Sequence, residues 1–297
     1  MQPSHRRPAP RAVPLGDTDP FRPTPEHPVR CRARQIDSDN QFEPHHHPWG
    51  QLAYCARGLL QVTVVHTGDA DGERSPLETT TIVPPSRAVW IPPLARHAVT
   101  IVESAQLLTL YIDGNAVPAH WSRSRVLVVS PLLRELVHAL NRPQRPAGEA
   151  GQALLTLLLD EMEHADTQPL GVPMPSATGG DRRLRNLCEA VMQAPAQHGT
   201  LAAWAAHGGA SERTLARLFR DELGTSFQRW RQQVVLAHAL PMLARGVSVG
   251  RVAEASGYAS ESAFSAMFKS AMGLPPTRLR EQARTRPQAD MDSAARA

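Results

Sequence analysis

Short runs of alternating hydrophobic and polar residues fill positions 29–115. In LLQVTVV (59–65), Leu60, Val62 and Val64 fall on one face of an extended chain. The runs TTTIVPP, AVWIPP and HAVTIV follow at short intervals, and each is punctuated by proline or glycine. This spacing predicts a compact all-β barrel or sandwich.

Helical periodicity replaces this pattern over positions 116–166. Ser130 and Pro131 have the character of an N-cap and a first helical residue, and leucines and a valine then repeat at helical spacing up to residue 140. A second apolar stripe lies in residues 149–165. These helices either cover the barrel or form a dimer interface, and the pattern leaves both alternatives open.

Three further segments lack this periodicity. Residues 1–28 are rich in Pro and Arg and are predicted to form a disordered arm. The run TQPLGVPMPSATGG (167–180) predicts an interdomain linker, and residues 285–297 predict a disordered tail. Residues 181–284 predict an all-α domain, so the predicted fold class is a multidomain α+β chain.

This helical domain contains an internal repeat. HGGASERTLARLFRDELG (207–224) aligns with SGYASESAFSAMFKSAMG (256–273) at an offset of 49 residues. Each copy predicts a short helix, a glycine-containing turn, a serine N-cap, and a second helix that ends at glycine. The pattern is that of a helix-turn-helix made twice. Residues 226–246 predict a connecting helix that holds the two recognition helices about 34 Å apart, one turn of DNA.

Charge and composition narrow the function. The net charge is +4, but residues 181–286 carry 15 basic and 8 acidic side chains. A basic module on a near-neutral body is typical of proteins that bind polyanions. Three widely spaced cysteines indicate neither a disulfide framework nor a CxxC metal site. Because a secretory signal and a membrane-spanning run are both absent, we expect a cytoplasmic protein without a membrane partner.

The helical domain resembles a known family. GTSFQRWRQQ (224–233), VAEASGYASESAFSAMFKSAMGLPP (252–276) and the first repeat unit are similar to the AraC/XylS family of transcription regulators. Two positions depart from the family pattern. Pro241 is expected to kink the connecting helix or end it early, and Leu279 stands where the family more often has Tyr.

This resemblance implies which residues face double-stranded DNA. On the first recognition helix they are Arg213, Thr214, Ala216, Arg217 and Arg220, and on the second they are Ser262, Ala263, Ser265, Ala266 and Lys269. Arg213 and Arg217 are four residues apart and share one helix face, where they can contact guanines or phosphates. The second set is small and weakly polar, so we expect it to contribute mostly backbone and thymine-methyl contacts.

The β domain resembles the cupins. HHHPWGQ (45–51) with Gly58 is similar to the first cupin motif, and WIPPLARH (90–97) to the second. The combination with the C-terminal run also resembles AraC-type regulators that carry an N-terminal cupin domain. In two places this chain departs from the second motif, because Leu94 replaces a glycine and Ile101 replaces an asparagine.

The cupin resemblance implies a metal site formed by His45, His47, Gln51 and His97, with Gln51 in place of the usual acidic ligand. His45 and His47 are two residues apart on a strand and face the same side, whereas His46 faces away. Three imidazoles and an amide oxygen can hold Zn²⁺, Ni²⁺ or Fe²⁺. The alternative is that these residues are polar groups at the barrel mouth.

Three aromatic residues, Trp49, Tyr54 and Trp90, are candidates for a small-molecule pocket, with core packing as the alternative. The two resemblances together imply a transcriptional regulator whose cupin domain senses an effector and controls promoter binding. RNA polymerase is an expected further partner, and a homodimer remains open.

Two competing functions follow from the same residues. A cupin metalloenzyme of the dioxygenase or isomerase type is disfavoured, because the acidic ligand is missing and no general acid or base stands near the motif. We therefore expect that the chain is not an enzyme. The other alternative is an architectural DNA binder whose barrel is purely structural and whose operator affinity does not respond to a ligand.

Overall fold

The computed structural model describes residues 10–66, 77–142, 148–168, 170–175, 179–197, 199–206 and 209–284. The predicted tail and residues 1–9 of the predicted arm lie outside these ranges. Within them, the strands are β1 (Arg11–Val13), β2 (Val29–Ile36), β3 (Asn40–His45), β4 (Gly50–His66), β5 (Leu77–Val83), β6 (Arg87–Ile91), β7 (Arg96–Ile112), β8 (Arg125–Val128), β9 (Thr167–Gln168) and β10 (Gly171–Met174).

The helices of the same ranges are α1 (Pro131–Leu140), α2 (Gly148–His164), α3 (Arg182–Gln193), α4 (Leu201–Ala205), α5 (Glu212–Leu223), α6 (Phe227–Ala244), α7 (Val249–Ala255), α8 (Glu261–Met272) and α9 (Pro276–Arg284). Among the helices described, none has the length and apolar character needed to cross a membrane.

The N-terminal domain is organised by two long strands. β4 and β7 are 17 residues each and pair antiparallel from Gly50–Ile112 to Val65–Arg96, with register shifts between Cys55 and Leu60. Because bulges bend strands, each strand contributes its two halves to two layers. One layer has the order β2–β7–β4–β6–β8–β9, and the other β1–β3–β7–β4–β5–β10. The predicted all-β barrel is confirmed.

Strand alternation explains how both faces of the first layer are buried. Ala53 and Cys55 point into the barrel interior, together with Leu60, Val62 and Val64 of the second layer. Their neighbours on β4 point outward into a second cluster, which the apolar faces of α1 and α2 cover. These two helices therefore cover the barrel. Helix α1 begins as predicted, because the Ser130 hydroxyl accepts a hydrogen bond from the Leu133 amide.

Two segments without periodicity form short edge strands, which differs from the expected arm and linker. β1 pairs in parallel with β3, and the Leu15 carbonyl accepts a 2.9 Å hydrogen bond from Arg34. In the expected linker, β9 pairs with β8 and β10 pairs with β5. Each of these strands satisfies its backbone groups against a neighbouring strand, so it forms without an alternating apolar pattern of its own.

The helical domain contains the two predicted helix-turn-helix units, α4–α5 and α7–α8, joined by α6. The hydroxyls of Ser211 and Ser260 accept hydrogen bonds from the third residue of α5 and α8, respectively. Both helices end at a glycine in the left-handed conformation, with φ of 64° and 74°. Helix α6 continues past Pro241 to Ala244, because the buried side chains of Leu240 and Leu243 hold its last turn.

The barrel and the helical domain share one apolar core. The cluster that fills the barrel interior continues into α6 through Val235 and Leu240, and into α8 through Phe264 and Phe268. Leu279, one of the two departures from the family pattern, is buried in the same cluster. The first helix-turn-helix unit packs against β10 instead. The two domains are therefore joined by side-chain packing as well as by the chain.

Candidate functional site

Three histidines converge at the end of the barrel that lies away from the β4 bulges. His45 ends β3 and is the strand partner of His97 at the start of β7. The ring centroids of His45 and His97 are 4.3 Å apart, and those of His47 and His97 are 5.1 Å apart. One ligand atom from each ring lies within 4.8 Å of the others. His46 is exposed, as predicted.

Backbone carbonyls orient all three rings in the same way. The Nδ1 atoms of His45, His47 and His97 lie 2.7, 2.8 and 2.9 Å from the carbonyl oxygens of Glu43, Trp49 and Ala95. A carbonyl can only accept, so each Nδ1 carries the proton and each Nε2 presents a lone pair. Metal-binding histidines are commonly oriented by such a bond on the other ring nitrogen.

Whether a metal fits this site depends on the hydrogen-bond partners of the Nε2 atoms. His97 is 1% exposed, and its Nε2 has no hydrogen-bond partner among the described residues. An unpaired buried acceptor costs free energy, and a metal ion would remove that cost. The His47 Nε2 lies 2.9 Å from the Gln51 side-chain oxygen. A neutral ring with its proton on Nδ1 has only an acceptor at Nε2, so the Gln51 amide must be reversed for its NH₂ group to donate. The donor set therefore fits a divalent metal held by three imidazoles, with Gln51 beside it.

Burial keeps these imidazoles neutral. Desolvation lowers the pKa of His45 and His47 below its ordinary value, and it lowers the pKa of His97 to about 3. Neighbouring histidines add to the effect, because a second positive charge nearby is unfavourable. All three rings are therefore in the form that binds a metal at neutral pH.

We predict that acid destabilises the metal-free chain through His97. An unfolded histidine gains its proton below pH about 6.5, whereas folded His97 stays neutral down to pH about 3, so stability falls as pH falls through this window. Between pH 7 and 5 this one group should cost about 2 kcal/mol of the free energy of unfolding. Urea titrations of the wild-type chain and His97→Gln in a chelator measure it. Identical pH slopes for the two would contradict the assignment.

Aromatic side chains surround the histidine cluster. The Trp49 ring stacks on His47 with centroids 4.9 Å apart, and the buried Tyr111 ring meets the His47 ring edge-on at 5.9 Å. Tyr111 was not among the predicted residues, although its position as the strand partner of Gln51 brings it to the site. A cavity of about 220 Å³ lies beside Trp49, between Arg22 of the arm and Asp113.

The structure does not bring the three candidate aromatic residues together. Strand alternation turns Tyr54 to the opposite side of the layer from Gln51, where it packs in the cluster under α1 and α2. Trp90 lies in that same cluster, and its Nε1 donates to the Trp121 carbonyl at 3.0 Å. Of the three candidates, only Trp49 lies beside the histidines. The predicted pocket formed by all three residues is not found, because Tyr54 and Trp90 pack in the core.

The loop before His97 keeps the conformation of the cupin motif although Leu94 replaces the glycine of that motif. Leu94 has φ of 64°, a left-handed conformation that favours glycine, and its side chain is 68% exposed. Its amide donates a 2.8 Å hydrogen bond to the His47 carbonyl. This backbone contact joins the loops that carry two of the three histidines, so the conformation of the motif is kept although the glycine is not.

The DNA-facing candidates lie on two accessible helix surfaces. None of the ten is buried while the barrel is docked, and Arg213, Arg217 and Arg220 are all exposed on one side of α5. The Arg217 guanidinium lies 3.5 Å from the Asp221 carboxylate, an exposed ion pair of small stabilising effect. On α8 the exposed members are small, except Lys269.

Contacts between the two units fix the distance between the recognition helices. Arg231 of α6 donates to the Pro195 carbonyl at 3.0 Å and to the Ser256 carbonyl at 3.5 Å, and so it connects the loop before α4 to the end of α7. A side chain at Gly257 would place its Cβ 2.8 Å from the Cα of Ala196. The turn of the second unit therefore rests directly on the backbone of the first.

Comparisons with known proteins agree with both halves of this architecture. A family model described as an AraC-like ligand binding domain matches residues 27–171, and one described as a helix-turn-helix domain matches residues 204–282. The chain is 35% identical to the HTH-type transcriptional regulator NimR of Escherichia coli K12. The aligned 236 residues are 79% of this chain and 80% of NimR.

More distant similarities cover parts of the chain. The HTH-type transcriptional regulator RipA of Corynebacterium glutamicum is 30% identical over 115 residues, 39% of this chain and 32% of RipA. Among solved structures, a DNA-binding transcriptional dual regulator from Escherichia coli K-12 is 27% identical, with a TM-score of 0.34, over 37% of this chain and all of that one. ToxT from Vibrio cholerae O395 is 12% identical, with a TM-score of 0.35, over 86% and 98% of the two chains.

Proposed function

The chain belongs to the AraC family of transcriptional regulators, and we propose that its helix α5 makes most of the contacts to operator bases. The chain is a DNA-binding regulator with a small-molecule-sensing cupin domain. The exposed Arg213, Arg217 and Arg220 carry this proposal, since arginine can donate two hydrogen bonds to one guanine. The DNA-facing candidates of α8, apart from Lys269, are serines and alanines, which are too short to make such bidentate contacts.

We predict that Arg217→Ala weakens operator binding by about 1–3 kcal/mol. The operator can be selected from random duplexes by the wild-type chain, and gel-shift titration then gives the affinity. Loss of preference at one base pair would indicate a guanine contact, whereas a uniform loss with a reduced salt dependence would indicate a phosphate contact. Arg182→Ala, an exposed arginine on α3, is the matched control. Equal affinity of wild type and Arg217→Ala would remove Arg217 from the interface.

We also propose that His45, His47 and His97 hold one divalent metal in the cupin domain. The orphan Nε2 of buried His97 is the observation that supports it. A bound metal would supply a positive, Lewis-acidic centre that can attract an electron-rich group of an effector. The named relatives are regulators, so we propose that this centre serves sensing and not turnover.

We predict that the purified chain binds about one equivalent of Zn²⁺ and that His97→Ala weakens this binding at least ~100-fold, because the cluster loses one of its three ligands. Titration against a coloured chelator measures the affinity. His45→Ala removes a less buried ligand and should weaken binding similarly, which guards against a folding defect of the His97 variant. His46→Ala is the control, since His46 faces away. Metal binding that none of these substitutions alters would refute the site.

We propose two further partners, a second copy of this chain and RNA polymerase. The exposed side chains of Leu132 on α1 and Leu157 on α2 offer apolar surface for a homodimer. Light scattering of the chain with both residues changed to Ser tests that surface. Contact with RNA polymerase is proposed from the regulatory role alone, and reconstituted transcription from the selected operator tests it.

A further inference from the structure

A buried arginine of the barrel reaches the end of the second recognition helix. Arg87, at the start of β6, is 6% exposed. Its Nη2 donates to the carbonyl of Met272, the last residue of α8, at 3.2 Å. Its Nε donates to the Gln168 side-chain oxygen at 2.7 Å, and the Gln168 amide lies 3.4 Å from the same Met272 carbonyl. Two residues of the barrel thus converge on one carbonyl of the DNA-binding domain.

The surroundings of Arg87 show that its charge is stabilised partly by the end of α8. No carboxylate pairs with it among the described residues, so backbone and amide oxygens alone stabilise its charge. Burial accordingly lowers its pKa below the usual arginine value. The last carbonyls of a helix lack partners within the helix and carry partial negative charge. The Arg87 guanidinium complements that charge at the end of α8.

We propose that Arg87 is a positioning residue through which the sensor barrel holds the second recognition helix in its DNA-binding arrangement. The helix depends on such support because its DNA-facing side chains, apart from Lys269, are short. Short side chains tolerate little displacement from the major groove, whereas the long arginines of α5 can follow a shift. The corresponding end of α5, at Gly224, receives no hydrogen bond from the described residues of the barrel.

The same strand reaches the candidate effector end of the barrel. β6 runs from Arg87 to Ile91, and Ile91 is the strand partner of Gln51, which contacts His47. The strand β6 therefore connects the histidine cluster directly to the contact between Arg87 and α8. This regulatory role rests on the proposed function, since it requires that the barrel senses an effector. The Arg87 contact itself does not require it.

Hydrogen–deuterium exchange of the full chain tests the positioning role. In Arg87→Gln we expect amides in the last two turns of α8 to exchange about 10-fold faster, while those of α5 stay unchanged. Arg87→Lys keeps the charge and a donor group but not the fork that reaches Gln168 and Met272 together, so it should restore part of the protection. Arg57→Gln, an exposed arginine on the neighbouring strand, is the control for charge removal. Unchanged exchange in α8, or equal acceleration in both helices, would overturn the proposal.

Footprinting on the selected operator tests the consequence for DNA. Arg87→Gln should weaken protection of the half-site under α8 about 10-fold and leave the half-site under α5 protected. Equal loss at both half-sites, or no loss, would contradict the role of Arg87. The exchange experiment needs no DNA, so it remains decisive even if the wild-type chain were to bind no operator and the proposed function failed.

Discussion

Gly58→Ala is expected to unfold the barrel, with a loss of about 4 kcal/mol or more in the free energy of unfolding. Gly58 lies in the β4 bulge with φ of 85°. An added Cβ would lie 2.2 Å from the Ser104 carbonyl oxygen and 2.6 Å from the Ala105 Cα. Both are backbone atoms of β7, so no side chain can move aside. Urea denaturation followed by far-UV circular dichroism measures the loss.

A matched glycine separates this clash from the cost of backbone conformation. Gly148 also has a positive φ, at 58°, but a Cβ there would meet no atom of the described residues within 4 Å. Gly148→Ala should therefore cost only about 1 kcal/mol. If the two variants were equally stable, the contact between Gly58 and β7 would not be what makes glycine necessary there.

Gly257→Ala is expected to destabilise the helical domain by about 3 kcal/mol and to lower operator affinity in the molecules that stay folded. Its φ is 75°, and the added Cβ would press on the backbone of Ala196 in the first unit. The most direct relief of that clash is to move the two units apart, which changes the spacing of the recognition helices. Thermal unfolding and gel-shift titration measure the two effects.

The control for this prediction is the equivalent turn of the first unit. Gly209 has φ of 68°, and an added Cβ there would meet no described atom within 4 Å. Gly209→Ala should cost about 1 kcal/mol of stability and leave affinity unchanged. An affinity loss in Gly209→Ala as large as in Gly257→Ala would show that the turn conformation matters, and not the contact between units.

Much of this architecture could be predicted from local signals. The serine caps and glycine ends of α5 and α8 lie next to the groups they satisfy, so the repeat alone predicted both units. The histidine cluster was also predictable, because two residues two apart on a strand face one side, and the second motif supplied His97. In each case the deciding interaction lies within a few residues or follows a strict period.

The missed features depend on partners that are distant in sequence. β1 and β10 are short and acquire their structure from the backbones of β3 and β5. Tyr111 reaches the cluster only through the register of β7 on β4. Tyr54, in contrast, could have been excluded from the sequence. It lies three residues after Gln51 on the same strand, so the alternation of side chains places it on the other face. The interdomain bond of Arg87 spans 185 residues, and no local pattern indicates it.

The core shared by the barrel and α6–α9 also bears on how such proteins evolve. A sensor barrel transplanted from another regulator would bring its own surface to α6 and α8, so the recombined chain would face mismatched apolar side chains and an unmatched Arg87 contact. Exchange at the proline-rich boundary alone is therefore a poor route to a new specificity. Substitutions around the histidines, where we propose that the effector binds, leave the side chains that face α6 and α8 unchanged.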